Sequence, residues 1–436
     1  MGDFERFIID NSESDIARLL FSCKNWPRPD DPVFDGLDVK ELVTSTIEAR
    51  KKLRKKVPEW YSLTSLVYPR ALSAEQCSSS ATAFYKASVV RDIIGKDGRV
   101  ADLTGGLGVD SWAISREVAM VVYNDRDPLL TKAATHNFRE LGSGNIAITS
   151  VEVGPSSLGP ILDGFAPDLV YIDPARRSLD GRKVFLLEEC SPDVLQLLPE
   201  IFRSCRHLLL KLSPMADIRM VVERLNRSYE AFLEKTRWEG WNGRWIREVH
   251  VVSSGGECKE LLVWMDREWN DSFSITCVED SERLTFPAEE IAAAKPVFPD
   301  SAYSRIIFEP GKSLSKAGVF NVLCPRFGLV KFARSTHLYT VAGNISKEEL
   351  SLKVEALRSF GKFFEVAEVL PFSKSSLKDI GKRFQHSEVS ARNIPLSSDE
   401  LRTKLGVSSG DDAHIFGARL ELPFESGNFL FVCHKM

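Results

Sequence analysis

Val100-Ala101-Asp102-Leu103-Thr104-Gly105-Gly106-Leu107-Gly108-Val109-Asp110, answered by Asp168-Leu169-Val170-Tyr171-Ile172-Asp173-Pro174-Ala175-Arg176-Arg177, decides how this 436-residue chain folds. The first stretch reads as a strand that ends in a glycine-rich turn and opens a helix. The second reads as a later strand that ends in an Asp-Pro turn. In an open α/β sheet, ligands sit beyond the carboxyl ends of the strands. Both stretches are therefore expected to deliver polar groups to one crevice.

Working outward, apolar strands are predicted over Arg99–Leu103, Val118–Asn124, Ile146–Val151, Asp168–Ile172 and His207–Leu212, with helical stretches between them. That alternation is the mark of a parallel sheet and an α/β fold. Glu248–Trp264 reads as two strands joined by the turn Gly255-Gly256. Residues 1–75 read as helical, with helix-like spacing at Phe7–Ile9 and Ile16–Leu20 and a proline-rich break at Pro27–Pro32. A helix over Val39–Lys56 ends in Lys51, Lys52, Arg54, Lys55 and Lys56, which suits a helix C-terminus or a phosphate contact. Beyond Asp266-Arg267-Glu268 the pattern changes to short strands and helices. A strand is expected at Phe273–Val278, a helix from Phe286 onward and another at Leu314–Phe320. In the tail, strands are expected at Phe363–Val369 and Phe429–His434 and a helix at Asp399–Leu405.

The formal net charge is −4, so bulk charge does not hold this chain to nucleic acid; any such substrate needs local basic patches. Between Lys374 and Lys404, seven bases stand against four acids. That local excess suits phosphates, or a solvated helical face. The eight cysteines are scattered, with no C-x-x-C pair and no histidine at zinc-ligand spacing, so reduced thiols and no metal are expected. Met1–Arg6 lacks an apolar signal region, and no run approaches about 18 apolar residues. A soluble cytoplasmic protein is expected.

Several residues carry the chemistry of the crevice. Glycines at 105, 106 and 108 let backbone approach a ligand closely. Asp125, about 20 residues beyond them, is placed to accept hydrogen bonds from a ribose diol, while Asp127 is a candidate N-cap for the helix from Pro128. Glu152 follows the third strand. The Asp173-Pro174 turn presents a carboxylate and carbonyls that can hold an N–H. Arg176 can stack on a base or grip phosphate, and Arg177 follows it; pairing with Asp173 at a helix start is the plain alternative. Lys211 or Asp217, after the next strand, is a further substrate candidate or a surface charge. Gln76–Lys86 supplies hydroxyls before the first strand. Cys77 and Cys258 match no nucleophile motif.

These two stretches resemble motifs I and IV of class I S-adenosylmethionine (SAM)-dependent methyltransferases, particularly those acting on nucleic acids. The resemblance implies that Asp102 binds the SAM amino group, that Thr104, Gly105, Gly106 and Gly108 shape the cofactor turn, and that Glu152 is the candidate adenine contact. Thr104 stands where many small-molecule methyltransferases have glycine. Asp173, Pro174 and Arg176 would orient the acceptor, Arg176 replacing the usual aromatic. Gln76–Lys86, Glu257–Leu262, Val369–Lys374, Ala391–Ser397 and Gly410–Phe416 further resemble a bacterial group that adds a small ferredoxin-like domain and a THUMP-like C-terminal domain. That organisation implies a helical region at 1–75, a methyltransferase domain at 76–268, a ferredoxin-like domain at 270–355 and a THUMP-like domain at 357–436. THUMP domains imply RNA, so a tRNA or rRNA substrate is expected, with Arg177, Lys211, Lys382, Arg383 and Arg392 as substrate contacts. A methyltransferase for a small molecule or protein, and a non-catalytic RNA-binding protein that retains a SAM site, remain as alternatives. Neither acceptor atom nor oligomeric state is legible.

Overall fold

The computed structural model describes residues 39–176, 187–236, 245–341, 343 and 345–436. The expected helical features before residue 39, and Arg177, lie outside the described residues, as does the side chain of Arg176. The chain divides into two compact units. The first comprises the described residues up to Val249 together with Lys259–Asp271; the second comprises His250–Cys258 and Ser272–Met436.

The first unit is built on parallel strands β1 (Arg99–Asp102), β2 (Met120–Asn124), β3 (Ile146–Thr149) and β4 (Leu169–Ile172). A short ribbon, β5 (Ala175–Arg176) with β6 (Cys190–Ser191), follows, and then β7 (His207–Leu212). The sheet runs β3-β2-β1-β4-β7, every pair parallel. The expected hairpin forms as β8 (Ile246–Ser254) and β9 (Glu257–Asp266), turned at Gly255 and Gly256 with φ of 59° and 78°. Such positive φ at both turn centres suits glycine. β9 inserts antiparallel beside β7. The parallel strands and the glycine-turned hairpin thus match the sequence reading. Four predicted strands shrink by one or two residues at one end; at β1 and β3 it is the carboxyl end, where the chain leaves the sheet for the crevice.

Local chemistry explains the crossovers. Asp127 accepts from Leu129 N–H at 2.9 Å and Pro128 occupies the first turn, so the helix Pro128–Glu140 is capped as expected. Leu169–Ile172 is buried throughout, as a central parallel strand covered on both faces must be. The basic end of the helix Val39–Lys56 is tied down: Lys52 reaches Glu75 at 2.6 Å, and Lys56 donates to the Glu75 carbonyl.

In the second unit, the hairpin tip carries β10 (Ser274–Glu279) and β11 (Glu282–Pro287). Phe286 lies in β11, and the helix predicted from that residue starts only at Ala288. Phe286 is fully buried and pairs with Ile275, and that packing overrides the local helical pattern. A seven-stranded sheet follows, composed of β12 (Ile306–Pro310), β13 (Val330–Ala333), β14 (Thr336–Thr340), β15 (Gly361–Pro371), β16 (His386–Arg392), β17 (Ser408–Glu421) and β18 (Ser426–Lys435). Its order is β13-β14-β12-β15-β18-β17-β16, with only β16 and β17 parallel. Strands from 306–340 and from 361–435 therefore share one sheet. The helices Lys374–Arg383 and Ser398–Leu405 cover it, burying Leu377, Ile380, Leu401 and Leu405 against Val389, Ile415, Leu430 and Val432. They touch at Gly381, where any Cβ would sit 1.9 Å from the Leu405 carbonyl. No described helix is long and apolar enough to cross a membrane.

Candidate active site

A cavity of about 1510 Å³ opens at the carboxyl ends of β1, β2 and β4. The glycine turn forms its floor. Gly108 adopts φ +93°, and a Cβ there would meet the Phe138 ring at 2.7 Å. A Cβ on Gly105 would enter the Tyr123 ring, at 2.1 Å. These two glycines thus admit aromatic packing beneath the turn. A Cβ on Gly106, at φ +54°, would meet the Thr104 carbonyl at 3.9 Å, an ordinary contact.

Asp102 is 1% exposed. Its carboxyl accepts from Thr104 N–H at 3.0 Å and from the Ser111 hydroxyl at 2.5 Å. Burial pushes its pKa up to about 7; the two hydrogen bonds oppose that, and Asp110 and Asp173 add to it. Asp125 accepts from Gly106 N–H and from Asp127 N–H, each at 2.8 Å. One oxygen is used by each bond, so the carboxylate is fixed in place with lone pairs to spare.

Asn124, which sequence reading passed over, joins two walls. Its amide nitrogen donates to the carbonyls of Leu103 and Val151 at 3.2 and 3.0 Å. Its amide oxygen accepts from Val151 N–H and the Thr149 hydroxyl at 3.0 and 2.9 Å. The turn after β1 and the Val151–Pro155 wall, which includes Glu152, are thereby held together. The available signal was an asparagine ending a wholly apolar strand.

Thr104 joins the glycine turn to the Asp-Pro turn: the Asp173 N–H donates to its hydroxyl at 2.6 Å. The residue that departs from glycine therefore acts as a brace. The Asp173 side chain, one-third exposed, receives the Lys211 ammonium on Oδ2 at 2.5 Å. Among the described residues Oδ1 has no protein partner. Lys211 stands 4.0 Å from Glu260, and Glu260 receives the fully buried Lys86 at 2.7 Å. Lys86 also meets Asp110 at 3.3 Å and donates to the Ser78 hydroxyl at 3.0 Å. Ser78 and the Tyr171 hydroxyl donate to Asp110 at 2.9 and 2.8 Å. Burial lowers the Lys211 pKa, but Asp173, Asp110 and Glu260 together hold it above the ordinary lysine value. Burial raises Glu260, while Lys86 and Lys211 draw Asp110 below the usual carboxylate range. Lys86 and Glu260 were not predicted as site residues, since each sits outside the two motifs.

The structure therefore brings Asp102, Thr104, Gly105, Gly106, Gly108, Asp125, Glu152, Asp173, Pro174 and Lys211 to one cavity. Its wall is acidic. Among the described residues, the acidic side chains of Asp102, Asp110, Asp125, Asp127, Glu152, Asp173, Asp193 and Glu260 line it beside the cationic side chains of Arg70, Arg126, Lys211 and Lys259. Such a wall favours a ligand that carries positive charge. Among the described residues no group of three or more histidine, cysteine or acidic side chains could hold a metal. Cys77 is half-buried at the cavity and burial pushes its thiol up to about 11, against a role as nucleophile.

The remaining predicted contacts lie in the second unit. Lys382 lines a groove of about 450 Å³ with Lys374, Lys378 and Lys404. Arg383 instead grips Glu368 through both terminal nitrogens, at 2.7 and 2.8 Å, and Arg392 reaches Glu309 at 2.5 Å.

Comparison with known proteins agrees with this geometry. Residues 361–435 match a family model described as THUMP domain-like, and 307–347 match a ferredoxin-like domain. A crystal structure of a candidate methyltransferase from Porphyromonas gingivalis W83 is 28% identical, covers 99% of this chain and 97% of its own, and superposes with a TM-score of 0.76. Partial matches include a precorrin-6y C5,15-methyltransferase from Geobacter metallireducens GS-15, 17% identical over 44% of this chain and 87% of its own, with a TM-score of 0.27. An rRNA methylase from Streptococcus thermophilus is 13% identical over 42% and 94%, also with a TM-score of 0.27. No curated protein matches the sequence. The chain thus carries a ferredoxin-like and a THUMP-like segment and shares its fold over nearly its whole length with that candidate methyltransferase.

Proposed function

We propose that this protein is a SAM-dependent methyltransferase acting on RNA. The observation that carries the reading is the 2.6 Å bond between Thr104 and Asp173, which locks a glycine-rich turn and an Asp-Pro turn into one acidic cavity. SAM would supply an electrophilic methyl group. The donor set fits it: the cofactor is cationic at its sulfonium, and the wall carries excess carboxylate. Asp125 would accept from the ribose hydroxyls, and Glu152 would approach the adenine. Asp102 would take the ammonium after losing its own proton.

Asp173 has one oxygen committed to Lys211 and the other open to the cavity. It therefore suits an acceptor whose nucleophilic atom still bears hydrogen, such as an exocyclic amine or a hydroxyl. Oδ1 would accept that hydrogen and aim the atom's lone pair; the displaced proton would leave to water. Pro174 and Arg176 would complete the acceptor side, with Arg177 beyond them. The proposed division is a helical region at 1–75, the catalytic domain at 76–268, the ferredoxin-like domain at 270–355 and a THUMP-like domain at 357–436 that delivers RNA, in the cytoplasm. Lys382 and its neighbouring lysines support that delivery as phosphate contacts more than Arg383 or Arg392 do, whose charges are already paired.

The test is transfer of tritium from labelled SAM to purified total RNA, with protein extract and metabolites as parallel acceptors. Label in a tRNA or rRNA fraction, lost in Asp173→Ala with SAM binding retained, is expected. Label in protein or metabolites alone would refute the RNA assignment.

A further inference from the structure

The cavity wall holds more charge than methyl transfer requires. Asp173, Lys211, Glu260, Lys86 and Asp110 alternate in sign from the cavity edge to the interior. They come from five different segments: the Asp-Pro turn, β7, β9, the helix Ser80–Ile94 and the helix Val109–Ser115. Burying such groups costs more than their attraction returns unless partners are well placed. An isolated Lys211–Asp173 pair would have served to neutralise Asp173. The inner members must do something else.

Their geometry shows what. Lys211 has two carboxylates within reach, Asp173 at 2.5 Å and Glu260 at 4.0 Å. Lys86 holds Glu260 through Oε1 at 2.7 Å and offsets its charge, while Oε2 is the oxygen turned toward Lys211. Lys86 is in turn fixed by Asp110 and Ser78, and Asp110 by Ser78 and Tyr171. Resting on the functional reading above, we propose that Lys86 and Glu260 are positioning residues: Lys86 holds Glu260 and offsets its charge, so Glu260 draws Lys211 less strongly, Lys211 is committed to Asp173 Oδ2 and Oδ1 stays aimed at the acceptor. Glu260 also limits how far Lys211 follows Asp173 into the cavity. Without Lys86, Lys211 swings inward to Glu260 and the Asp173 carboxylate is released to rotate.

The test uses the full chain labelled with ¹⁵N-lysine, without donor or acceptor. An ammonium locked between carboxylates exchanges its protons slowly and gives a resolved ¹⁵Nζ signal. That of Lys211 is assigned by its loss in Lys211→Arg. We expect the Lys211 signal to move in Lys86→Met and in Glu260→Gln and to stay in place in Lys86→Arg. Should Lys86→Met not fold, Glu260→Gln, which changes charge at nearly constant volume, carries the same test. In turnover, Lys86→Met should lose about tenfold to a hundredfold in kcat, as expected of a misplaced orienting group, with the donor KM unchanged. Lys86→Arg should recover most of it. An unmoved Lys211 signal in folded Lys86→Met and Glu260→Gln, or equal loss of kcat in Lys86→Met and Lys86→Arg, would overturn the proposal. A moved signal with no methyl transfer to any acceptor would keep the positioning pair and remove the functional reading instead.

Discussion

Asn124→Ala is the sharpest test of how the crevice is held open. Its side chain makes four hydrogen bonds in a fully buried setting, at 3.2, 3.0, 3.0 and 2.9 Å. Truncation leaves two carbonyls without that donor and a backbone N–H and a hydroxyl without that acceptor. At about 0.5–1.5 kcal/mol net for each bond, the loss is about 2–6 kcal/mol. That is a large part of the roughly 5–15 kcal/mol that stabilises a typical domain. Tryptophan fluorescence isolates the effect, because all 8 tryptophans fall before residue 272 and none in 272–436. A urea titration followed by tryptophan emission therefore reads the first unit. We expect the unfolding free energy to fall by about 2–6 kcal/mol and SAM affinity, by calorimetry, to drop at least tenfold as the Val151–Pro155 wall parts from the β1 turn, a further loss of about 1.4 kcal/mol. A first-unit stability within about 0.5 kcal/mol of wild type, below the cost of even one lost bond, would refute the reasoning.

Three further outcomes are expected. Asp102 keeps its proton in the folded state up to about pH 7, whereas the unfolded chain loses it near the ordinary value of 3.8. Stability on its account is therefore full below that value, falls as pH rises to about 7 and is level beyond, since the unfolded state binds fewer protons in that window. Urea titrations at pH 5 and 8 should show Asp102→Asn stabilised relative to wild type, more so at pH 8, while SAM binding is lost; a destabilised Asp102→Asn at pH 8 contradicts the assignment. Gly108→Ala should cost about 2–4 kcal/mol, from positive-φ strain and the 2.7 Å clash with Phe138, as measured by the same fluorescence titration. Lys378→Ala with Lys382→Ala should reduce the slope of log affinity against log salt for RNA by about 1.5, as for two lost phosphate contacts; an unchanged slope places RNA elsewhere.

The sheet was legible because its signals are local. Val100–Gly108 carries an apolar strand, its glycine turn and the next helix start in one run, and Gly255-Gly256 announces a hairpin without outside help. The site was legible where one side chain ends one strand, as with Asp102, Asp125 and Asp173. It was illegible where function is shared between distant segments. Lys86 and Glu260 are 174 positions apart and meet only because β9 inserts beside β7. Phe286 misled for the same reason: its partner Ile275 across a hairpin, not its neighbours in sequence, fixes its conformation. Arg383 and Arg392 read as available cations because the sequence does not show Glu368 and Glu309 beside them.

A net charge of −4 hides two opposite local designs. In the first unit, among the described residues, eight acidic side chains and four cationic ones line one cavity, a balance that disfavours a polyanion and favours a sulfonium. In the second, the bases between 374 and 404 sort by type. The arginines at 383, 392 and 402 are spent on Glu368, Glu309 and Glu388, while Lys374, Lys378, Lys382 and Lys404 line one groove. Arginine suits bidentate pairing within the fold, and lysine offers a hydrated point charge to a mobile phosphate. An RNA methyltransferase needs both surfaces: a pocket that concentrates a cationic donor and excludes backbone phosphate, and a separate surface that holds the backbone. On that division, only the acceptor group itself should enter the acidic cavity, with its own phosphates kept outside. Methyl transfer to a free nucleotide should therefore be far weaker than to the intact RNA, and equal rates for the two would count against it.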